Sequence, residues 1–121
     1  TIMTEIEKNK RDKNFKILKN NFDILNKARD INGKKFRIIK IPMPNPIFIN
    51  RVRVPASYLN FLICNKIVLL PMFEDTNDKK VLKIFKNFFK TREIIGIDCS
   101  SLIWGFGAIH CMTQSEPSVK F

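Results

Sequence analysis

The 121-residue sequence has little of the chemistry that metal sites use: one histidine and three cysteines, Cys64, Cys99 and Cys111. The cysteines form no CxxC pair, and a structural zinc site needs four ligands at close spacing. We therefore predict no metal and no cofactor. An odd number of cysteines, with no signal peptide among these residues, favours the reducing cytoplasm.

Long hydrophobic runs are also lacking. The most apolar stretch, Phe61–Phe73, is interrupted by Asn65-Lys66 and Pro71 and is too short to span a bilayer. Hydrophobic residues still make up 45% of the chain, which is enough for a packed core, and the length fits one domain. These features predict a soluble, cytoplasmic protein without membrane contact.

Acidic residues are scarce: eleven Asp and Glu stand against 22 Lys and Arg, which gives a net charge of +11. Such a balance suits a nucleic-acid binder. However, the lysines are spread over two segments, Lys8–Lys40 and Lys79–Lys90, in the pattern of a solvated helix face. We therefore favour solvated lysines over nucleic-acid contact. A non-catalytic basic module that binds nucleic acid remains the alternative.

Apolar residues at helical spacing predict a helix over Asn14–Arg29 that ends at the turn formers Asp30–Gly33. A strand over Phe36–Ile41 and a loop over Pro42–Pro46 follow, because proline cannot donate to a sheet ladder. Two more strands, joined by a tight turn at Asn65-Lys66, are predicted over Ala56–Cys64 and Ile67–Leu70.

The second half of the chain predicts the same kinds of element. Thr76 or Asn77 can cap a helix whose first residue, Asp78, suits the positive helix start. Ile94–Ile97 is predicted as a short strand and Gly107–Thr113 as a final strand. The remaining predictions are a turn or short helix at Ser100–Trp104 and a flexible tail at 114–121.

The order of these elements repeats. Helix, strand, loop and strand occur over Asn14–Cys64 and again over Asp78–Thr113. The strand segments Ile38–Ile41 and Ile94–Ile97 also match in pattern. Such self-similarity predicts a repeat architecture whose units bury their faces against one another. Two ordinary α/β elements that are alike by chance are the alternative.

The segment Gly105–Thr113 is the most informative for chemistry. Its two glycines allow a sharp turn or a close approach of the backbone to a ligand, before a strand that presents Cys111. Successive side chains of a strand point to opposite faces, so we predict that His110 does not pair with Cys111. Cys64 and Cys99 are interpreted as small hydrophobic core residues.

Five blocks carry a family resemblance: Ile41–Pro44, Pro55–Phe61, Pro71–Asp78, Ile95–Asp98 and Gly107–Thr113. In this order they are similar to the agmatine deiminase family, a branch of the guanidine-modifying superfamily that includes peptidyl-arginine deiminases. The resemblance extends from about Phe15 to Pro117. Family members typically carry a Gly-Gly-Gly-Asn-Ile-His-Cys run, whereas this chain has Phe106 and Ala108 at the second glycine and the asparagine. Cys111 falls on the family's nucleophile.

The resemblance implies an α/β fold, a pentein fan or five-bladed α/β propeller of ββαβ units around a central channel. This chain would supply about two units, with residues 1–121 as the C-terminal portion of a single deiminase domain. The implied chemistry is attack of Cys111 on the guanidinium carbon of agmatine, loss of ammonia and hydrolysis to N-carbamoylputrescine. Arginine or peptidyl-arginine is the alternative substrate.

The resemblance also implies an incomplete site. The family's His-x-Asp motif comes from earlier repeats, and no histidine precedes His110 here. We therefore expect as partners a small guanidino substrate, the missing N-terminal portion and further copies in a homo-oligomer, and neither membrane nor nucleic acid. The isolated chain should be inactive in spite of Cys111.

Two further residues, Gly107 and Asn60, are predicted to bind substrate. Asn60 is identified by aligning Ser57–Phe61 with Ala108–Met112, which places it where Cys111 lies in the next unit. It would then face the channel and hydrogen-bond substrate or hold the neighbouring strand. An asparagine that satisfies local backbone groups at a strand end is the alternative.

Overall fold

The structure is a computed structural model that describes residues 1–117. Its two α-helices are α1, Asn14–Lys27, and α2, Asp78–Phe88, and two 3₁₀ helices span Leu102–Gly105 and His110–Met112. The strands of this part of the chain are β1 Ile2–Ile6, β2 Ile38–Pro42, β3 Phe48–Ile49, β4 Val52–Arg53, β5 Leu62–Ile63, β6 Ile67–Met72 and β7 Glu93–Asp98.

We call β1, α1 and β2 the first unit. The two strands pair in parallel, from Ile2 opposite Ile38 to Ile6 opposite Pro42, and α1 makes the crossover between them. The predicted helix and the predicted strand are confirmed to within about two residues. Strand β1 was not predicted, because its partner lies more than thirty residues away and its own five residues carry no clear alternation.

We call β5, β6, α2 and β7 the second unit, which has the order ββαβ along the chain. Its sheet has the strand order β5-β6-β7. Strands β5 and β6 are antiparallel around the predicted turn at Asn65-Lys66, and β6 and β7 are parallel. Strand, helix and parallel strand thus occur twice, with boundaries that differ from the predicted repeat. The fold is mixed α/β with small separate sheets.

The core lies between α2 and the strands of both units. Ile41 of β2, Leu70 of β6 and Phe85 of α2 are all 0% exposed. Ile103 of the first 3₁₀ helix is buried with them. By contrast, every residue of α1 is at least partly exposed. The second unit therefore contributes the better-buried helix.

Two predicted strands differ from the structure. Of Ala56–Cys64, only β5 is extended, and the chain before it turns, with the Asn60 N–H donating to the Ser57 carbonyl at 3.3 Å. The prediction of a strand over Gly107–Thr113 is wrong, because this segment contains the 3₁₀ helix His110–Met112. The Thr113 N–H donates to the His110 carbonyl at 3.2 Å, a bond that an extended strand cannot make.

Smaller corrections concern the loop and the cap. Pro42 ends β2 instead of starting the loop, which an edge strand tolerates. Asn77 occupies the position before α2, but its side chain donates to the Met43 carbonyl at 3.0 Å instead of capping the helix. Of the predicted flexible tail, 114–117 are exposed and irregular, and 118–121 lie outside the described residues. Among residues 1–117, every helix is too short or too polar to cross a membrane.

Candidate functional site

Cys111 is exposed and lies on the second 3₁₀ helix. The residues before it are fixed in the core, with Ala108 at 0% and Ile109 at 6% exposure. Cys111 is thus carried by a short turn whose entry is anchored by buried side chains. Because this segment is a 3₁₀ helix, His110 and Cys111 do not lie on opposite faces of a strand, as was predicted.

Cys111 forms hydrogen bonds with the side chain of Asn60. Its side-chain Nδ2 lies 2.8 Å from the Cys111 Sγ, and its Oδ1 accepts from the Cys111 N–H at 3.1 Å. The Asn60 main-chain carbonyl accepts from the His110 N–H at 3.1 Å. The structure therefore brings together the two residues that the internal alignment equated. Binding of substrate by Asn60 stays a prediction.

Gly107 lies directly against Cys111. A Cβ at this position would come within 2.7 Å of the Cys111 Cβ and 3.3 Å of its Sγ, closer than side-chain carbons approach. A larger residue would therefore push Cys111 out of its place. This contact gives Gly107 a packing role beside the predicted, untested role in substrate binding.

Phe106 marks the departure from the family's glycine run. Its φ is +61°, a left-handed conformation that costs a side chain roughly 1–2 kcal/mol and that glycine adopts freely. The family's glycine at this position thus has a backbone reason. Phe106 is 58% exposed, and Trp104 and Met112 are 64% and 66% exposed, so apolar side chains flank Cys111 on both sides in sequence.

The loop Ser57–Asn60 is tied to β1 through a serine. The Ser57 hydroxyl donates to Glu5 Oε1 at 2.7 Å and accepts from the Leu59 N–H at 3.1 Å. Burial raises the pKa of the Glu5 carboxyl, against the opposing effect of the Ser57 hydrogen bond. The hydroxyl therefore has partners on both sides, and the loop is fixed at its first residue.

A second tie joins the same loop to the start of α2. Tyr58, the single tyrosine of the chain, is 0% exposed, and its hydroxyl donates to Asp78 Oδ1 at 2.6 Å. Burial and this hydrogen bond both raise the pKa of Tyr58, so the hydroxyl keeps its proton. This pair was not predicted from the sequence, in which Asp78 was interpreted only as a residue that suits the helix start. A buried tyrosine needs a partner for its hydroxyl, and that requirement was the available signal.

The carboxylates at the start of α2, Asp75 and Asp78, already accept hydrogen bonds from neighbouring groups. The Asp75 carboxylate accepts from the Asn77 and Asn45 N–H groups, each at 2.7 Å. Within the described residues, the Cys111 sulfur accepts a hydrogen bond from the Asn60 side chain alone. Within residues 1–117, no three His, Cys, Asp or Glu side chains group as a metal site. A depression of about 220 Å³ is lined by Ser57, Leu59, Asn60 and His110, two of which neighbour Cys111 in sequence or by hydrogen bond.

The other two cysteines differ from Cys111. Cys99 is 0% exposed, its N–H donates to the Met72 carbonyl at 2.8 Å, and burial raises the pKa of its thiol. Cys64 is half-buried at the end of β5. The core interpretation is confirmed for Cys99 and holds in part for Cys64. All three thiols are free.

Known proteins resemble this chain over nearly all of its length. A Legionella pneumophila protein named "Putative agmatine deiminase" is 32% identical over 117 residues, which cover 96% of this chain and 34% of that protein. A crystal structure of "a putative peptidyl-arginine deiminase" superposes with a TM-score of 0.89 at 32% identity, over 94% of this chain and 34% of the other. A cysteine-to-serine variant of C. jejuni agmatine deiminase with substrate bound has a TM-score of 0.81 at 25% identity, over 89% and 31%.

The chain spans about a third of the length of the curated relatives it matches. The sequence pattern of the Porphyromonas-type peptidyl-arginine deiminase family matches residues 1–117, which includes all the residues of the site described above. The chain therefore belongs to the Porphyromonas-type peptidyl-arginine deiminase family.

Proposed function

We propose that this chain supplies the nucleophile of a hydrolase that deiminates agmatine. The Cys111 sulfur attacks the guanidinium carbon, the bond from that carbon to one terminal nitrogen breaks, and ammonia leaves with an added proton. Water then displaces the sulfur from the covalent intermediate, which yields N-carbamoylputrescine and the free thiol. The products balance as agmatine plus water giving the ureido compound plus ammonia.

The observation that carries this proposal is the geometry around Cys111. Cys111 is exposed, and its thiol accepts from the Asn60 Nδ2 while its backbone N–H donates to the Asn60 Oδ1. It also packs against a glycine that leaves room for it. A structural cysteine is usually buried, as Cys99 is. Curated relatives named as agmatine deiminases, and a relative's structure with substrate bound, support the choice of chemistry.

The other members of the site should come from outside this chain. A guanidinium needs carboxylates that hold it, and departing ammonia needs an acid that protonates it. We propose that earlier units of a longer deiminase provide them, in a five-bladed fan of which this chain forms about two units. Tested alone, the chain should therefore have no deiminase activity. We also propose that the chain self-associates into a homo-oligomer. The odd number of cysteines favours a cytoplasmic location.

Arginine or peptidyl-arginine is the second candidate substrate. The matched family is described as peptidyl-arginine deiminases, and Phe106 and Ala108 replace two residues of the run that agmatine deiminases typically carry. The first step would be unchanged, because all three substrates present the same guanidinium group. Only the remainder of the substrate, and the contacts it meets, would differ.

A ureido assay separates these possibilities. The chain alone and a longer protein that contains it are each given agmatine, arginine and an arginyl peptide. We expect turnover only in the longer protein, fastest with agmatine, abolished by Cys111→Ser and retained by the matched control Cys64→Ser. Turnover by the chain alone would refute the incomplete site. Activity of the longer protein that survives Cys111→Ser would refute the assignment of the nucleophile.

A further inference from the structure

We propose that Tyr58 and Asp78 are positioning residues for Cys111. Their hydrogen bond fixes the loop Ser57–Asn60, and Asn60 at the end of that loop holds the nucleophile. The inference deepens the proposed function and rests on the role assigned there to Cys111. Neither side chain contacts Cys111 through a hydrogen bond in the described residues, so both would act through Asn60.

The Tyr58–Asp78 pair is a fixed point of the structure. The Asp78 carboxylate also accepts hydrogen bonds from the N–H groups of Asp75, at 3.2 Å, and Phe73, at 3.3 Å. The turn before α2 therefore sets its orientation. The ring of Tyr58 is fully buried and meets the ring of Phe73 edge to face, with centroids 5.5 Å apart. A hydroxyl between these partners cannot shift without breaking a 2.6 Å hydrogen bond.

This fixed point lies two residues from Asn60. Between them, the backbone is constrained again, because the Leu59 N–H donates to Ser57 Oγ and the Asn60 N–H donates to the Ser57 carbonyl. A displacement of Tyr58 is therefore passed to Asn60 over a short, turned segment. Asn60 meets Cys111 at its N–H and its sulfur, and both contacts depend on the angle at which the amide is presented.

The competing interpretation is that the pair only stabilises the core. A stability role predicts that losing the hydroxyl loosens the whole chain and affects all three cysteines together. A positioning role predicts a change at Cys111 while the core stays closed. The three free cysteines distinguish these outcomes, because Cys111 is exposed, Cys64 is half-buried and Cys99 is fully buried.

The test is alkylation of the full chain with iodoacetamide near neutral pH, with each cysteine followed by mass spectrometry of its peptide. Tyr58→Phe removes the hydroxyl and keeps the ring. We expect the Cys111 rate to fall about fivefold relative to Cys64, the factor that one net hydrogen bond corresponds to, with Cys99 still protected. Asn60→Ala should show the same fall, since it removes the final contact.

Asp78→Asn is the conservative variant, because its amide oxygen can still accept from the Tyr58 hydroxyl, and it should keep the Cys111 rate, whereas Asp78→Ala should lose it. Asp12→Asn, which weakens a tie to Arg53 and removes no hydrogen bond of the loop Ser57–Asn60, controls for lost stability and should leave the rate ratio unchanged. An unchanged ratio in Tyr58→Phe with Cys99 protected overturns the proposal. Where Tyr58→Phe exposes Cys99, equal rates in the two Asp78 variants overturn it. Alkylation needs no guanidino substrate, so this result is independent of any deiminase assay.

Discussion

The two units share a strand–helix–strand topology with parallel strands, but their helices are buried to different extents. Helix α2 places Val81 and Phe85 at 0% exposure, in a core that also contains Ile41 from the first unit. Helix α1 is longer, yet Ile17 and Ile24 are 60% and 58% exposed. Both helices carry an apolar stripe at helical spacing, so the stripe alone does not determine burial.

The difference shows what a repeat unit obtains from its neighbour. The strand β2 of the first unit and the 3₁₀ helix Leu102–Gly105 contribute to the core around α2, through Ile41 and Ile103. Among the described residues, α1 packs mainly against β1, and Lys40 of β2 lies over the ring of Phe22. Repeat architectures gain stability largely at such interfaces between units. Cys111, the candidate nucleophile, follows the second unit. The helix of that unit, α2, packs both against its own strand β7 and against β2 of the first unit.

The largest expected effect comes from truncating one phenylalanine in each helix. Phe85→Ala should lower the free energy of unfolding by about 3–5 kcal/mol, because it leaves a cavity in a fully buried core. Phe22→Ala in α1 should cost only about 1 kcal/mol, since its ring is half-exposed under Lys40. Urea unfolding of both variants measures the contrast. Equal costs would mean that α1 is covered in solution as fully as α2.

A smaller effect, which depends on pH, concerns the ion pair that ties the segment before α1 to β4. Arg53 Nη1 donates to both Asp12 oxygens at 2.8 Å, with side chains 10% and 6% exposed, and this bond holds the pKa of Asp12 below its ordinary range. A lowered pKa stabilises the fold above the unfolded value of about 3.9, and that stability is lost as pH falls through the folded pKa. Asp12→Asn should therefore cost about 2 kcal/mol at pH 7, and this cost should become smaller as pH falls below the unfolded pKa, for example at pH 3.

Urea unfolding of Asp12→Asn and of the unmodified chain at both pH values tests this prediction. Arg53→Lys is the matched control, because it keeps the charge and loses the guanidinium geometry. Its free energy of unfolding at pH 7 should lie between those of Asp12→Asn and the unmodified chain. A cost for Asp12→Asn that is the same at pH 7 and pH 3 would show that the carboxylate charge is unimportant there. The tie would then be a packing contact only.

The elements that were predictable depend on contacts close in sequence. The stripes of α1 and α2, the turn at Asn65-Lys66 and the β-branched run of β7 determine their own structure locally. Strand β1 was missed because its pairing with β2 is non-local. The segment Gly107–Thr113 looked like a strand, but its backbone turns where Asn60, fifty-one residues earlier, accepts from the Cys111 N–H.

The candidate site divides in the same way. Cys111 and Asn60 could be singled out from the motif and from the internal alignment, and the structure puts them in contact. Glu5, Ser57, Tyr58 and Asp78 could not be grouped from the sequence, because their hydrogen bonds join three elements that are distant along the chain. A pattern in one segment carries no information about which buried hydroxyl meets which carboxylate.

The smallest expected effect concerns left-handed residues at two turns, one between β3 and β4 and one directly after the first 3₁₀ helix. Asn50 and Arg51, between β3 and β4, have φ of +48° and +66°, a pair of positive values for which hairpin turns prefer Asn-Gly. Arg51→Gly should therefore stabilise the chain by about 0.5–1 kcal/mol, while Arg51→Ala, which keeps a Cβ, should gain little. Phe106, at +61° and 58% exposed, should behave alike, so Phe106→Gly is expected to stabilise by a similar amount at little cost in burial. Urea midpoints of the four variants, with Phe106→Ala as the second Cβ control, measure these gains relative to the unmodified chain. If Arg51→Gly stabilises and Phe106→Gly does not, the Phe106 side chain must make compensating contacts beside Cys111, and the strain there is retained for more than the turn.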